Sequence, residues 1–233
     1  MRQSRRPFVT VNFAVTWDGK VSTRNRTPSD FSSKRDKQRL LEIRSTGDAL
    51  LVGRATIAAD NMRMGLPDAK LREARIQRGQ TEFPIRVIVT NQGTLDPSLE
   101  VFQHDFSPIH VYSTQRMPTS VREQLKTKAT LHLHDGDSVK LANVLESLQQ
   151  DFRVNRVVCE GGPTVFKSLL GDGLVDEICL TLCPRIFGGA KALSLSGAKG
   201  DFLPQSTRCR ISAMEVLGDE CLLRYEVIRG GHP

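Results

Sequence analysis

Short apolar segments alternate with segments of helical periodicity along most of this 233-residue chain. Phe8–Val15 alternates apolar and polar residues in the period-two pattern of a half-buried strand, whereas Ala49–Val52 is wholly apolar, as in a buried parallel strand. Ser33 precedes a half-buried helical pattern that runs to Arg44, and it is the expected N-cap. This strand–helix–strand order predicts a mostly parallel sheet with helices on both faces.

The remaining elements extend this α/β pattern and change its character near the C-terminus. Strands are predicted at Ile85–Val89, Ile109–Tyr112, Ala129–Leu133, Val154–Cys159 and Val175–Leu182, and helices at 119–127, 138–151 and 165–170. Cys209–Leu217 and Cys221–Ile228, separated by Gly218-Asp219-Glu220, predict an antiparallel hairpin. We therefore expect one domain over residues 1–233 with a mixed, mostly parallel sheet. Residues 1–6 are expected to be disordered, and 62–84 to be an insertion with a short helix.

Composition excludes several other classes of protein. The chain is 39% hydrophobic and 25% charged, which is ordinary for a globular domain, and none of its apolar stretches approaches the roughly 18 residues of a membrane span. Its five cysteines are an odd number, which disfavours a disulfide framework. No CxxC motif occurs and His132-x-His134 stands alone, so we expect no metal site. These features favour a cytoplasmic protein that does not bind membranes.

The net charge of +7 arises entirely from the first 44 residues, which hold 11 Lys and Arg against 4 Asp and Glu. Residues 45–233 hold 22 of each sign. A nucleic-acid-binding protein would combine such charge with aromatic stacking residues or a recognition motif, and this segment has few aromatics and no such motif. A phosphorylated small molecule, or a solvated helix surface, explains the charge better.

Glycine follows a predicted strand and precedes a predicted helix at two places, Val52-Gly53-Arg54 and Glu160-Gly161-Gly162-Pro163-Thr164. The absence of a Cβ lets a ligand approach the backbone, and a helix N-terminus offers unpaired N–H groups to phosphate. Neither segment fits GxGxxG or GxxxxGK[ST], which disfavours a Rossmann dehydrogenase and a P-loop NTPase. The carboxyl ends of parallel strands meet at one edge of a sheet, so two such turns predict a phosphate-rich cofactor.

Three motifs, in this order and spacing, resemble the pyrimidine reductases of riboflavin biosynthesis. They are Asn12-x-Ala14-x-Thr16-x-Asp18-Gly19-Lys20, the segment from Arg44 through Asp48, Gly53 and Thr56 to Asp60, and Glu160–Thr164. The resemblance covers essentially the whole chain and implies a dihydrofolate reductase-like fold, NADPH as cofactor, a phosphorylated pyrimidine as substrate and a homodimer. At the position of Asn12, this chain resembles the stand-alone archaeal and fungal branch of the family.

The resemblance also implies roles for individual residues. It implies substrate binding by Asn12, Arg44 and Glu160, and leaves Asp60 and Glu160 as the candidates for a catalytic acid. The cofactor-binding residues that it implies, together with the two glycine turns, are Ala14, Gly53, Arg54, Thr56, Asp60, Thr90, Asn91, Gly161, Gly162, Pro163, Thr164 and Val165. Of these, Thr90 and Asn91 match the place that holds the adenosine 2′-phosphate.

Three alternatives to this function stay open from the sequence. The first is a reductase of the same fold that acts on another pteridine or pyrimidine, such as dihydrofolate. The second is a non-catalytic paralogue that has kept the nucleotide-binding loops, and the third is a nucleic-acid-binding protein that uses the basic first segment. Cofactor titration distinguishes the third from the other two.

Overall fold

The computed structural model describes residues 6–22, 31–189, 192–195, 203 and 206–228. They form two compact units. The first contains Leu41–Val158 together with Arg6 and Pro7, and the second contains the described residues of 8–40 and 159–233. Residues 1–5 of the segment predicted to be disordered lie outside the described ranges. The prediction of a single domain over 1–233 stays a prediction.

The helices and strands follow the predicted order closely. The strands are β1 (Phe8–Thr16), β2 (Ala49–Gly53), β3 (Ile85–Val89), β4 (Ile109–Thr114), β5 (Thr130–His134), β6 (Arg156–Cys159), β7 (Glu177–Cys183), β8 (Cys209–Leu217) and β9 (Glu220–Val227). The helices are α1 (Lys34–Thr46), α2 (Arg54–Asp60), α3 (Ala69–Gln77), α4 (Thr119–Leu125), α5 (Leu141–Phe152) and α6 (Pro163–Gly171). A 3-10 helix at Glu100–Gln103 has no counterpart in the prediction.

In the first unit the strand order is β5-β4-β3-β2-β6, and the pairs from β2 to β5 are parallel. Every residue of β2 and β4 is buried. β2 is a continuous apolar run, as expected for a buried parallel strand, whereas β4 also carries His110 and Tyr112. In the second unit the order is β1-β7-β9-β8, with β1 and β7 parallel and the other pairs antiparallel. The predicted mixed, mostly parallel sheet with C-terminal antiparallel strands is confirmed.

The predicted insertion contains the expected short helix, α3, and a buried arginine holds it in place. Arg75 is fully buried and donates hydrogen bonds to the carbonyl oxygens of Ser45, in the last turn of α1, and of Gly47, directly after that helix. It also donates to the carbonyl oxygens of Thr81 and Glu82. A guanidinium can satisfy several carbonyls at once, so this single side chain ties α3 to the end of α1.

The C-terminal hairpin forms as predicted, but a bulge changes which residues share a face. The register of β8 against β9 shifts between Ile211 and Ala213, so Ile211, Met214 and Val216 lie on one face and are 53%, 64% and 68% exposed. Ala213 and Leu222 lie on the opposite face, where Leu222 is buried.

Aromatic and histidine side chains pack along β4 and β5. His110 is buried, and its Nδ1 lies 3.0 Å from Nε2 of His132, whose ring stacks on Tyr112. Burial, and then the neighbouring His132, lower the pKa of His110 from 6.5 to about 4. Burial and His134 lower the pKa of His132 as well, against the opposing effect of Asp151. Both rings are therefore neutral in the folded protein near neutral pH.

Within the described ranges, every helix is too short or too polar to traverse a lipid bilayer.

We predict that acid destabilises the fold through His110. Its folded pKa is below its unfolded value of about 6.5, so its contribution to stability is present above that pH and is lost as the pH falls toward about 4. From about pH 7 to pH 5 the free energy of unfolding in urea should decrease by about 2 kcal/mol because of this group. His110→Gln should flatten the dependence. A slope in His110→Gln equal to that of the parent protein would contradict this account.

Candidate active site

The first glycine turn and the predicted 2′-phosphate residues lie at one edge of the first unit. Gly53 ends β2 and is the register partner of Val89, the last residue of β3. Arg54 begins α2 directly after Gly53, and Thr90 and Asn91 follow Val89 directly. Parallel pairing therefore brings the residues that the sequence placed in two separate motifs to the same edge of this unit's sheet.

Thr90 and Asn91 build the turn after β3 with their own polar atoms. The Thr90 hydroxyl accepts a hydrogen bond from the Gly93 N–H at 3.1 Å, and Asn91 Oδ1 accepts one from the Val139 N–H at 3.0 Å. These contacts use the accepting atoms of both side chains. Among the described residues nothing accepts from the Thr90 hydroxyl or from Asn91 Nδ2, so both can still donate to an anion.

Helix α2 carries the other cofactor candidates of this unit. Thr56 and Asp60 are half-buried and stand one helical turn apart, so they share a side of the helix. The helix ends at Asn61, which adopts a left-handed conformation (φ 42°, ψ 42°) and accepts a hydrogen bond from the Glu100 N–H. Asp60 thus occupies the last turn of the helix, on the same side as Thr56.

The second glycine turn, Glu160–Gly162, connects β6 to α6 in the second unit. Gly161 has a φ of 112°, a backbone conformation that residues other than glycine rarely adopt. The peptide bond that joins it to Gly162 is cis. Gly162 is the N-cap of α6 and Pro163 is its first residue. The N–H groups of Thr164 and Val165 have no carbonyl one turn before them in the helix, because the helix starts at Pro163. They are donors for a phosphate at this helix end.

Asn12 and Ala14 lie on β1, and both are half-buried on the face opposite to Phe13. The Phe13 face is covered by α6, whose Phe166 ring centroid is 5.2 Å from that of Phe13. The face of Asn12 and Ala14 continues onto β7, where Thr181 is the register partner of Ala14. These two candidates are therefore placed together, and Glu160 is half-buried at the end of β6.

Arg44 lies in the last turn of α1, and its environment gives it a structural role. It is only 8% exposed, and its Nη1 donates to the Gly65 carbonyl at 2.6 Å, which holds the chain between α2 and α3 against the helix. Arg54, by contrast, is half-buried and makes no hydrogen bond or ion pair with any residue of the described part. Of these two candidate cations, Arg54 is the one that the protein itself leaves available to a ligand.

The Asp18-Gly19 motif organises the loop that follows β1. Asp18 accepts hydrogen bonds from the Thr16 hydroxyl at 2.6 Å and from the N–H groups of Phe187 and Gly188 at 3.1 and 2.7 Å. The Thr16 hydroxyl is the main cause that lowers the pKa of Asp18 to about 2. Asp18 therefore stays ionised and joins two loops of the second unit, and no ligand needs to be invoked for it.

A buried polar network on the second unit was missed by the sequence reasoning. Asp36, on α1, accepts a hydrogen bond from the Thr181 hydroxyl at 2.5 Å, and Arg39 Nη1 donates to the same hydroxyl at 3.1 Å. The predicted N-cap, Ser33, accepts from the Asp36 N–H at 3.1 Å and donates to Glu220 on β9. A threonine inside the apolar strand Ile178–Leu182 was the available signal, since a buried hydroxyl needs a partner.

The described residues of the site favour neither thiol chemistry nor metal chemistry. Burial is the main cause that raises the pKa of Cys159 to about 12, so its thiol stays protonated beside the glycine turn. Across the ranges that the structure describes, no group of three His, Cys, Asp or Glu side chains is arranged to hold a metal ion. The chemistry of these residues is that of binding and orientation.

Comparison with known proteins shows the family. The RibD C-terminal domain family matches residues 7–223, and the chain belongs to that family. A 2,5-diamino-6-ribosylamino-4(3H)-pyrimidinone 5′-phosphate reductase from Methanothermobacter thermautotrophicus is 30% identical over 95% of this chain and 99% of its own length. A pyrimidine reductase-like protein from Corynebacterium diphtheriae has a similar structure, with a TM-score of 0.84 at 20% identity over 96% and 93% of the two chains.

A longer relative combines two activities. The Thermotoga maritima diaminohydroxyphosphoribosylaminopyrimidine deaminase and 5-amino-6-(5-phosphoribosylamino)uracil reductase aligns with a TM-score of 0.72 at 22% identity. The match covers 96% of this chain and 57% of that one. The family match and the 30% identical reductase show that the protein is an oxidoreductase, a pyrimidine reductase of riboflavin biosynthesis, so the predicted family and reductase function are confirmed. The structural neighbours confirm the predicted fold class.

We predict that Arg44 and Arg54 differ in their effect on stability. Arg44→Ala removes a buried charged donor and should lower the free energy of unfolding by about 1.5–3 kcal/mol. Arg54→Ala removes no contact within the described protein and should change it by less than about 0.5 kcal/mol. Urea unfolding of the two variants tests this, and a stable Arg44→Ala protein would show that the bond to Gly65 is dispensable.

Proposed function

We propose that this enzyme uses NADPH to reduce 2,5-diamino-6-ribosylamino-4(3H)-pyrimidinone 5′-phosphate to the ribitylamino product. The observation that carries the proposal is the 30% identity to a reductase of that name over nearly the full length of both chains. When bound, NADPH supplies a hydride to C1′ of the ring-opened ribosylamine in its imine form. The protein binds and orients both molecules and excludes water.

The donors at the edge of the first unit fit the adenosine 2′-phosphate that distinguishes NADPH from NADH. Arg54 offers a guanidinium that no described residue pairs with. Thr90 and Asn91 accept hydrogen bonds through their side-chain oxygens, and they offer the hydroxyl O–H and the amide N–H as donors. Guanidinium and N–H groups suit a phosphate dianion, which only accepts hydrogen bonds. Thr56 and Asp60 are proposed to contact the cofactor from α2, close to Gly53.

The glycine turn of the second unit fits a pyrophosphate. The N–H groups of Thr164 and Val165 are unpaired within α6, and Gly161 and Gly162 present no side chain at the helix start. Pro163 stabilises that first turn because its fixed φ suits the start of a helix. Ala14, on the half-buried face of β1, completes the proposed cofactor-binding residues.

For the substrate, we propose contacts from Asn12, Arg44 and Glu160. The hydrogen bond from Nη1 of Arg44 to the Gly65 carbonyl fixes the guanidinium in position, and a guanidinium suits the 5′-phosphate of the substrate. Asp60 and Glu160 remain the candidates for the proton donor, and each also suits the orientation of hydroxyl groups.

Two properties of the whole molecule belong to the proposal. The exposed face of Ile211, Met214 and Val216 on the edge strand β8 is suited to pairing with a second copy, since long apolar edge strands are rarely left uncovered. All five cysteines are free thiols, which agrees with a reducing, cytoplasmic location.

Genetic rescue tests the function most simply. Expression of the chain in a riboflavin auxotroph that lacks its pyrimidine reductase should restore growth without added riboflavin, and Gly162→Val should abolish the rescue by obstructing the phosphate loop. No growth from a soluble, folded protein would favour a reductase of another pteridine or pyrimidine, or a non-catalytic paralogue. Retention on a nucleic-acid column without cofactor binding would favour the third alternative.

We predict a preference for NADPH over NADH that depends on Asn91. Asn91→Asp keeps an oxygen for the Val139 N–H and replaces the amide donor by a negative charge, so the fold should persist while the 2′-phosphate is repelled. Calorimetry should show the NADPH dissociation constant rising by roughly 10- to 150-fold and that of NADH changing little. Equal affinities for both cofactors in the parent protein would reject the assignment.

We predict that a charge on the exposed face of β8 prevents dimerisation. Val216→Lys, at a side chain 68% exposed, should shift the sedimentation mass toward the monomer's 25.9 kDa at micromolar concentration. Glu215→Lys adds positive charge on the opposite face of the same strand and should leave the dimer intact. A parent protein that sediments as a monomer would refute the dimer itself.

A further inference from the structure

A second arginine follows the strand on the other side of the turn after β3. Strand β3 pairs in parallel with β2 on one side and with β4 on the other. Arg54 comes directly after β2, and Arg116 comes two residues after Thr114, the last residue of β4. The carboxyl ends of parallel strands meet at one edge of a sheet, so the turn of Thr90 and Asn91 lies between the segments that carry these two arginines.

Hydrogen bonds connect the backbone of Arg116 to Asn91. The Arg116 N–H donates to the hydroxyl oxygen of Thr114 at 3.2 Å, and that hydroxyl donates to the Asn91 carbonyl at 2.6 Å. Thr114 is fully buried, so its hydroxyl fixes the segment after β4 against the turn after β3. The side chain of Arg116 therefore starts beside the turn that we propose to bind the 2′-phosphate.

The guanidinium of Arg116 reaches another segment that is bonded to the same asparagine. Its Nη2 donates to the Asp137 carbonyl and lies 2.8 Å from Oδ1 of the Asp137 carboxylate. Two residues later, the Val139 N–H donates to Asn91 Oδ1 at 3.0 Å. The backbone and the side chain of Arg116 thus complete a ring of contacts that passes through Asn91.

The ion pair of Arg116 with Asp137 is exposed and uses only part of the guanidinium. Both contacts are made by Nη2, and Nε and Nη1 form no hydrogen bond with a residue of the described part. The side chains of Arg116 and Asp137 are 49% and 94% exposed, and ion pairs in such surroundings contribute little to stability. A phosphate dianion carries more negative charge and more acceptor oxygens than a carboxylate, so it binds the guanidinium more strongly.

A neighbouring arginine shows that the fold does not require the Arg116 guanidinium at this turn. Arg122, on α4, donates through Nε to the Met117 carbonyl at 2.9 Å and through Nη2 to the Gln115 carbonyl at 2.5 Å. These two bonds hold the turn after β4 on the helix that follows it. The guanidinium of Arg116 is therefore available to exchange one anion for another.

We infer that Arg116 is a second cation for the adenosine 2′-phosphate of NADPH, and that Asp137 competes with this phosphate for the guanidinium. The inference rests on the proposed function and on the assignment of Thr90 and Asn91 to the 2′-phosphate. The two residues act in opposite directions, because Arg116 increases the preference for NADPH over NADH and Asp137 limits it. NADH has a hydroxyl in place of this phosphate, so its affinity depends on neither charge.

The test measures the dissociation constants of NADPH, NADH and adenosine 2′,5′-bisphosphate by calorimetry. Arg116→Gln should raise the constants for NADPH and the bisphosphate roughly 5- to 30-fold and leave that for NADH within about twofold. Asp137→Asn should lower the constants for NADPH and the bisphosphate roughly 2- to 5-fold, because it removes a competing charge. Asp137→Asn should have little further effect in the Arg116→Gln protein, since the guanidinium for which Asp137 competes is gone.

Lys126 provides the matched control. It forms an ion pair with Glu123 on α4, in the same unit, and both side chains are 61% exposed. Lys126→Gln removes the same charge from a comparable exposed pair and should leave the ratio of the NADPH and NADH constants unchanged. A loss of preference as large as that in Arg116→Gln would show that general charge, rather than a contact, sets the preference, and would overturn the inference.

The outcomes separate this inference from the function on which it rests. A parent protein that prefers NADPH, together with an Arg116→Gln protein of the same preference, overturns the role of Arg116 and leaves the NADPH-dependent function standing. A parent protein that binds both cofactors equally well, or neither, overturns the inference and the NADPH assignment together. If Arg116→Gln does not fold, Asp137→Asn decides, since an unchanged or raised constant for NADPH contradicts the competition.

Discussion

The proposed phosphate-binding groups of this enzyme depend on how the hydrogen-bonding groups are paired in the turns that follow two strands, β3 and β6. A parallel strand stops with its backbone groups unpaired, and the next residues must satisfy them or leave them to a ligand. After β3 the side chains of Thr90 and Asn91 complete the turn with their accepting atoms and keep their donors. After β6 the pair Gly161 and Gly162 adds no side chain, and α6 begins with N–H groups that nothing in the helix can pair. Both turns retain donors, which is what a phosphate requires.

The hydrogen bonds of the basic side chains show which of them serve the fold rather than a ligand. The basic first segment contributes Arg39 and Arg44, and both donate to backbone carbonyls of their own units. The excess charge that suggested a phosphorylated partner is therefore partly structural. Arg54, which comes later and has no partner among the described residues, is better placed to bind an anion. A count of charges along a sequence cannot distinguish these two situations, because burial depends on tertiary packing.

Much of the fold was predictable from the sequence because strands and helix ends are determined by residues that are close together in the chain. The apolar runs predicted the strands to within a few residues, and Ser33 was identified as the N-cap of α1 from its place before the helical pattern. The bulge after Ile211 was not predictable, since it depends on the register of two strands and changes which side chains share a face. The contact of Asp36 with Thr181 joins residues 145 positions apart, so no local pattern reveals it.

Transfer of deuterium measures the central claim most directly. The purified enzyme would be given the diaminopyrimidinone ribosylamine phosphate and NADPH deuterated at C4 of the nicotinamide, and the product would be examined by mass spectrometry and NMR. Hydride transfer to the imine carbon predicts one deuterium, located at C1′ of the ribityl chain. Oxidation of NADPH without deuterium at that carbon, or no turnover by a protein that binds NADPH, would contradict the account.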